Sequence, residues 1–379
     1  MQPLRLAVAI AFSLAVLILI ATELRAGEEA PVTISILAAG DIIMHRPLVE
    51  AAYRQDTQDY DFSPVFAEIA PLVQKADIAI ANLETTFAND TKYTDYPRFN
   101  APSQLAVTLR QVGFDLLAAA NNHSLDYGAE GLIRTAQTLA QQQLTPLGIY
   151  ASTARRTLTV VEKKGFKLGF LNYTCLTNGN SLLKEQTALL DLYSPKQLKD
   201  DVSQLKAQQV DAIICYLHFG QEYQRYPDKK QKKIIASMQQ QGVDIIFGSH
   251  PHLLQPAQHG PEAHQYVLYS LGNFISCQRS QLTDVGAMVE IHLEKTPHGD
   301  VRISEVRYVP TYVSLKWSRG KHLYKICLAK AMDQYLTKKY AEKLVYENKS
   351  LYADTLMHLK RGLELQAKEK GASTAVKVK

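Results

Sequence analysis

Five short apolar runs in this sequence each end in residues able to donate to a cation. Ile34–Ala39 ends in Gly40-Asp41, and Ile78–Ala81 in Asn82-Leu83-Glu84. Leu116–Ala120 ends in Asn121-Asn122-His123, and Ile213–Leu217 in His218. Ile245–Phe247 runs into Gly248-Ser249-His250-Pro251-His252. The runs are aliphatic and β-branched, as strands are. Amphipathic segments separate them; 128–142 places Leu132, Ile133, Ala136 and Leu139 on one helical face. Strands alternating with helices imply parallel pairing, with the helices outside the sheet. In such sheets ligands bind beyond the carboxyl ends of the strands, which is where all five polar endings fall.

Strand candidates are Thr33–Ala38, Ile78–Ala81, Phe114–Ala119, Leu168–Tyr173, Ala212–Leu217, Asp244–Phe247, Tyr266–Ser270, Met288–Leu293 and Val301–Tyr308. Helix candidates lie at 63–74, 102–111, 128–142, 195–208 and 229–241, and in the tail at 323–366. Ser63-Pro64 and Ser194-Pro195 each read as an N-cap followed by proline in the first turn. The strands from 266 to 308 have short connections without helices and are expected to be antiparallel. Two sheets flanked by helices accommodate both patterns, so the expected fold is α/β, a four-layer α/β/β/α sandwich. Residues 177–190 are polar and unpatterned, a loop placed to cover the site.

The organisation expected is a leader at 1–30, one domain at 31–320 and a helical basic tail at 321–379. Leu6–Ala21 has only Ser13 as a polar residue and follows Arg5, which makes it a signal anchor or signal peptide. Export is therefore expected, with the domain outside the cytoplasm in the cell envelope and the N-terminus as its membrane contact. Net charge is +5, and the tail holds 13 Lys/Arg against 6 Asp/Glu. The tail is read as a solvated lysine-rich face or as a contact for an anionic membrane surface. The rest of the chain has no basic excess and no aromatic–basic motif, which argues against nucleic acid as a partner. Cys175, Cys215, Cys277 and Cys327 have no zinc-knuckle spacing and leave the redox compartment open.

Taken singly, an Asp or His after a strand is usually a turn former or a satisfied structural residue. As an ordered set the endings point to metal. The Asp41 and Glu84 carboxylates can neutralise a divalent cation, and one carboxylate can bridge two. His218, His250 and His252 supply imidazoles suited to Mn, Fe or Zn, and Asn122 a neutral oxygen. One or two divalent ions are the expected cofactor.

These residues sit in blocks that resemble the CapA family of capsule or poly-γ-glutamate biosynthesis proteins, which is similar in turn to the calcineurin-like metallophosphoesterases. The likeness spans about residues 33–315. It rests on Gly40–Met44, Ala81–Glu84, Asn121–Gly128, His218–Tyr223, Gly248–His252 and Tyr269–Phe274. It implies a metallophosphoesterase-like sandwich in which Asp41 and His252 hold one metal, Glu84 bridges, and Asn122, His218 and His250 hold the second. It implies His123 as general acid or as a stabiliser of the phosphoryl charge, oriented by Asp126 unless Asp126 only forms a turn. Arg46, His45, Glu222, Tyr223 and Asn273 become candidate substrate contacts. The sequence departs from the phosphoesterase pattern at two places. Ile43 stands where a second ligand histidine is expected, and Glu84 where the bridging Asp is expected, so a single-metal centre is an alternative. The function implied is a metal-dependent hydrolase in synthesis, export or trimming of a capsule polymer, by phosphoester hydrolysis with a metal-activated water. Its partners would be an anionic surface polymer or its phosphorylated precursor, and polymer synthase subunits. A non-catalytic accessory subunit of a polymer synthase and an amide hydrolase acting on polyglutamate are the alternatives.

Overall fold

The computed structural model describes residues 30–328, apart from Asp90, Thr91, Arg155, Gln281 and Arg319. The apolar stretch Leu6–Ala21 and the tail beyond residue 328 lie outside the described residues. Among the described residues no helix is long and apolar enough to cross a membrane.

Sixteen strands and seven α-helices are described. Strands β1 (Val32–Ile42), β4 (Ile78–Leu83), β5 (Leu116–Ala118), β6 (Thr145–Leu147), β13 (Asn273–Ile275), β14 (Val285–Lys295), β15 (Val301–Ser318) and β16 (Lys321–Leu328) form one sheet. Its order is β16-β15-β14-β1-β4-β5-β6, with β13 paired to the end of β1. The second sheet has the order β11-β12-β10-β9-β8-β7. Its strands are β7 (Thr159–Lys163), β8 (Phe166–Thr174), β9 (Ala212–His218), β10 (Ile245–Ser249), β11 (Ala257–His259) and β12 (Tyr266–Leu268). A small hairpin pairs β2 (Tyr53–Arg54) with β3 (Asp59–Tyr60). The helices are α1 (Arg46–Ala52), α2 (Ser63–Phe66), α3 (Ala70–Val73), α4 (Gln104–Val112), α5 (Gly128–Gln141), α6 (Pro195–Ala207) and α7 (Lys229–Gln241).

The period-2 alternation of the strands builds the layers. Ile34, Ile36 and Ala38 of β1 and Ile78 and Ile80 of β4 pack against Ala212, Ile214 and Tyr216 of β9 and Phe247 of β10, filling the space between the sheets. The intervening Leu37, Ala39, Ala79 and Ala81 face outward to Leu48, Phe66, Leu105 and Leu109 of α1, α2 and α4. On the other side Ile213, Cys215 and Leu217 meet Leu198, Leu205, Ile235 and Met238 of α6 and α7. The result is helix, sheet, sheet, helix. Each fully buried Ile or Phe in these layers stabilises the fold by about 1.5–3 kcal/mol. Tyr216 also ties the sheets directly, its hydroxyl donating to the Ala39 carbonyl at 2.7 Å just behind Asp41.

Helix α6 begins as expected: Ser194 Oγ accepts from the Gln197 amide at 3.1 Å. Helix α7 opens with a capping box between Asp228 and Gln231. The segment 63–74 is two short helices rather than one, and Ser63 lies inside the first of them, its hydroxyl on Asp61. Other expectations need correction. Residues 321–328 are not helical but form β16, because Tyr324 and Ile326 alternate inward onto the core beside Val313 of β15. The strands after 266 are not all antiparallel: β12 runs parallel to β10 and β13 parallel to β1. The segment 177–190 contains a 3₁₀ turn, Lys184–Leu189, seated by Leu189 and Leu190 against α5. All four cysteines are free thiols.

A buried ionic knot ties β8 to α6 and the loops beside them. Arg156 bonds Asp191 at 2.7 Å and Asp201 of α6 at 2.6 and 2.8 Å, while Tyr150 and Tyr173 donate to the same two carboxylates. Such a group is costly to break from one side, since the remaining carboxylates stay buried.

Candidate metal centre

The five polar endings converge where the carboxyl ends of β1, β4, β5, β9 and β10 meet. Asp41, Glu84, Asn122, His218, His250 and His252 are all buried. Two glycines allow the approach. A Cβ on Gly40 would lie 1.9 Å from the Gly272 carbonyl, and one on Gly248 2.0 Å from the Tyr269 carbonyl, so neighbouring backbone crosses directly over both strand ends.

Asn82, not chosen from sequence, organises the carboxylates. Its amide nitrogen donates to Asp41 Oδ1 at 2.9 Å and to Glu84 Oε2 at 3.0 Å. Asn121 supports it in turn, donating to Asn82 Oδ1 at 3.2 Å and to the Leu83 carbonyl at 2.8 Å. Asn172 of β8 receives the Ala120 amide at 2.7 Å and donates to the Tyr216 carbonyl at 2.9 Å, locking the end of β5 to the second sheet. All three asparagines stand at or near strand ends, but nothing in their spacing separates a carboxylate-orienting amide from a turn residue.

His252 Nδ1 lies 3.2 Å from Asp41 Oδ2, and His218 Nε2 lies 2.9 Å from Asn122 Oδ1. His218 Nδ1 faces Ser249 Oγ at 2.8 Å, which holds the ring from behind. His250 packs beside His218 with ring centroids 4.8 Å apart. His250 and His252 have φ of +96° and +58°. Two non-glycine residues in this region, one residue apart, are uncommon and store strain of the kind found at functional loops. Tyr223, also at positive φ (+62°), braces this turn: its amide donates to the Pro251 carbonyl at 2.9 Å and its ring lies 5.9 Å from that of His252.

The electrostatics suit a cation. Glu84 Oε1 is buried with no hydrogen-bond partner, as is His250 Nδ1. Burial, and next the Asp41 carboxylate, raises the Glu84 carboxyl well above the usual range. Burial lowers His218 well below an ordinary imidazole and lowers His250 to about 3, with neighbouring histidines adding to both. The unpartnered His250 Nδ1 and Glu84 Oε1, beside imidazoles that burial keeps neutral, form a donor set that a divalent ion would complete.

Two overlapping groups have donor atoms within 4.8 Å of one another: Glu84, His250 and His252; and Asp41, Glu84 and His218. Glu84 belongs to both. His252 lies against Asp41 and His250 against His218, and one tight turn also sets His250 and His252 side by side. Ile43 is buried, its amide held by the Ile275 carbonyl at 2.9 Å, and it offers no donor.

His123 stands beside the cluster. Its Nδ1 lies 2.8 Å from Asp126 Oδ2, and Asp126 also receives the Phe99 amide at 2.7 Å. Asp126 therefore orients the ring as well as shaping the loop. His45 packs edge-on to Phe99, which packs in turn on His123, and its Nδ1 receives the Cys277 amide. Burial lowers its pKa. Asn273 sits level with Asp41 across the β1–β13 pair, but its amide nitrogen is committed to Ser276, Gln278 and the Thr283 carbonyl. Only its Oδ1 is without a partner. Arg46 and Glu222 are exposed and bond none of the six candidate ligands. From the covering loop, Asn178 Oδ1 accepts the Asn122 amide at 3.2 Å.

Fold and cluster together define a four-layer α/β sandwich carrying a candidate metal centre at the carboxyl ends of its strands. The chain belongs to the bacterial capsule synthesis protein PGA_cap family, whose model matches residues 35–278. It is 28% identical over 274 residues to the PGA biosynthesis protein CapA of Bacillus subtilis, covering 70% of each chain. It is 29% identical over 298 residues to the capsule biosynthesis protein CapA of Bacillus anthracis, covering 74% of this chain and 70% of that one. The resemblance read from the motif blocks is thus borne out. Among solved structures the chain is similar to the calcineurin-like phosphoesterase YfkN from Bacillus subtilis, at 16% identity and a TM-score of 0.43, over 84% of this chain and all of that one. It is also similar to a putative 5'-nucleotidase from Staphylococcus aureus, at 14% identity and a TM-score of 0.48, over 83% of this chain and 59% of that one.

Proposed function

We propose that this protein is a metal-dependent hydrolase of the cell envelope that acts on a capsule polymer or its phosphorylated precursor by phosphoester hydrolysis. One observation carries the reading: Glu84 Oε1 is buried, lacks a hydrogen-bond partner and lies 4.0 Å from His218 Nε2 and 3.9 Å from His252 Nε2. Asp41, Glu84, His218, His250 and His252 would hold one or two divalent ions, with Asn122 adding a neutral oxygen. The bound ions would supply the positive charge that acidifies a water and neutralises phosphoryl oxygens. Asn82 keeps the two carboxylates aimed, and Ser249 keeps the His218 ring in place. His123, with Nδ1 held by Asp126, has Nε2 left to hand a proton to a departing oxygen. The loop bearing Asn178 screens Asn122 from bulk water.

The buried, apolar Ile43 favours a second reading, a non-catalytic accessory subunit of a membrane polymer synthase. Both readings are tested by elemental analysis of the purified chain and of an Asp41→Ala, His250→Ala double variant, with turnover assayed on phosphoesters and on polyglutamate amides. Bound metal, lost in the double variant, together with phosphoester turnover supports the hydrolase. Turnover of the amides alone moves the reaction class to amide hydrolysis. Metal without turnover of either substrate selects the accessory subunit. His123→Ala is expected to cut turnover by roughly 10²–10⁴-fold while metal content is kept. Equal loss of metal would remove His123 from the acid role.

A further inference from the structure

The β15–β16 hairpin carries a feature that the metal centre does not use. We propose that its tip docks on an anionic lipid surface. Trp317 is 67% exposed, Leu323 42% and Leu315 37%. Cross-strand pairing places Leu315 and Trp317 on one face with His322, whose ring lies 4.8 Å from that of Trp317, while Lys316 and Leu323 pair on the other. From Ser314 to Lys325 the sequence has no acidic residue and includes Lys316, Arg319, Lys321 and Lys325. Lys325 is neutralised by Glu68 at 2.8 Å, whereas Lys316 and Lys321 make no ion pair among the described residues. A hairpin tip with Leu315 and Trp317 exposed on one face, and Leu323, Lys316 and Lys321 on the other, the two lysines without an ion pair among the described residues, matches an interface with apolar depth and negative charge, a lipid headgroup layer. A soluble anionic polymer would satisfy the lysines but leave the apolar side chains in water.

The placement gives docking a consequence. Asp41 bonds Gly272, Gly272 bridges to Gly286, and Gly286 pairs with Thr311, so Thr311 lies level with the metal centre. β15 runs in the same direction as β1, and Trp317 lies six residues beyond Thr311, about 20 Å further along the strand. A lipid surface held at the tip therefore faces the end of the sandwich where the candidate ligands converge, while the chain enters β1 from the opposite end. This inference rests on the hairpin alone and stands whether or not the centre is catalytic.

Trp317 is the chain's single tryptophan, so its emission reports this hairpin and nothing else. The experiment adds vesicles of phosphatidylglycerol or of phosphatidylcholine to the full chain, following emission wavelength and quenching by brominated acyl chains. A shift to shorter wavelength with quenching is expected in phosphatidylglycerol only, with partition at least about tenfold weaker for Lys316→Glu, Lys321→Glu. Vesicle binding without change in emission would mean that another segment holds the lipid and would overturn the proposal. Emission already at short wavelength in buffer would overturn it too, since the chain itself would then cover the face. An equal shift in phosphatidylcholine would refute the charge recognition. A shift given by soluble polyglutamate without lipid would assign the tip to a polymer instead.

Discussion

Glu84→Gln separates a cation site from a merely polar interior. Glu84 is fully buried, with Oε2 on Asn82 and Oε1 unpartnered. Without a cation the ionised side chain leaves a buried acceptor unmade, at a cost of about 1–3 kcal/mol. Glutamine keeps the shape and discards the charge. In chelator near neutral pH the variant is therefore expected to be more stable by about 1–3 kcal/mol, each kcal/mol raising Tm by roughly 2–4 °C. The pH dependence has a definite sign. The folded protein holds the Glu84 proton more tightly than the unfolded chain. Wild-type stability is thus greatest, relative to the variant, below about pH 4.3, and is lost as pH climbs through the raised folded value. The gap between the two proteins should open from about pH 4 upward. Saturating Mn should reverse the order. An ion at about a thousandfold its Kd stabilises wild type by about 4 kcal/mol, while the variant lacks the carboxylate common to both donor groups. Thermal unfolding by circular dichroism, with chelator and with Mn at about pH 4.5 and 7.5, reads both effects. A variant less stable in chelator and stabilised by Mn as much as wild type would refute the reasoning.

Three further outcomes follow from other parts of the molecule. With His250 lowered to about 3, the unfolded chain takes up that proton first, so chelated wild type loses stability as pH falls from about 6.5 towards 3. His250→Gln should move the acid-unfolding midpoint to lower pH, and an unmoved midpoint would argue against a buried neutral imidazole. Gly40→Ala places a Cβ against the Gly272 carbonyl and should destabilise by about 3 kcal/mol in urea unfolding; a loss under about 1 kcal/mol would mean that β13 yields easily. Arg156→Ala leaves Asp191 and Asp201 buried and unpaired, and should cost about 3–5 kcal/mol by the same measurement; near-neutrality would mean that the knot opens to water.

Much of the sandwich was legible in the chain because strand and helix faces are local properties. Each of the nine strand candidates overlaps an observed strand, and the helices at 102–111, 128–142, 195–208 and 229–241 agree with α4 to α7 within a few residues. The short strands β2, β3, β6, β11 and β13 escaped, being two or three residues long and defined by their partners rather than by pattern, and so did the five-residue edge strand β7. β16 was misread because lysines and aromatics at 321–328 suit a helical face as well as a strand, and only pairing with β15 decides between them. The six candidate ligands, each picked from a strand end, lie together in the fold, with His123 beside them. Asn82, Asn121, Asn172 and Ser249 were missed, since their roles exist only through atoms they touch across the fold.

By itself the sequence determined which side chains stand at strand ends, which faces are apolar, and that the donors at those ends suit a divalent ion. The tertiary structure alone decided how they meet. Asp41 and His252, 211 positions apart, lie side by side, and Asn122 reaches His218 across 96 positions. The central place of Glu84, the left-handed turn that presents two of the histidines, and the exposed hairpin beyond the centre likewise belong to the folded molecule. The physical reason is that side-chain pattern specifies a face, whereas strand order, register and chain crossings are settled by the packing of the whole.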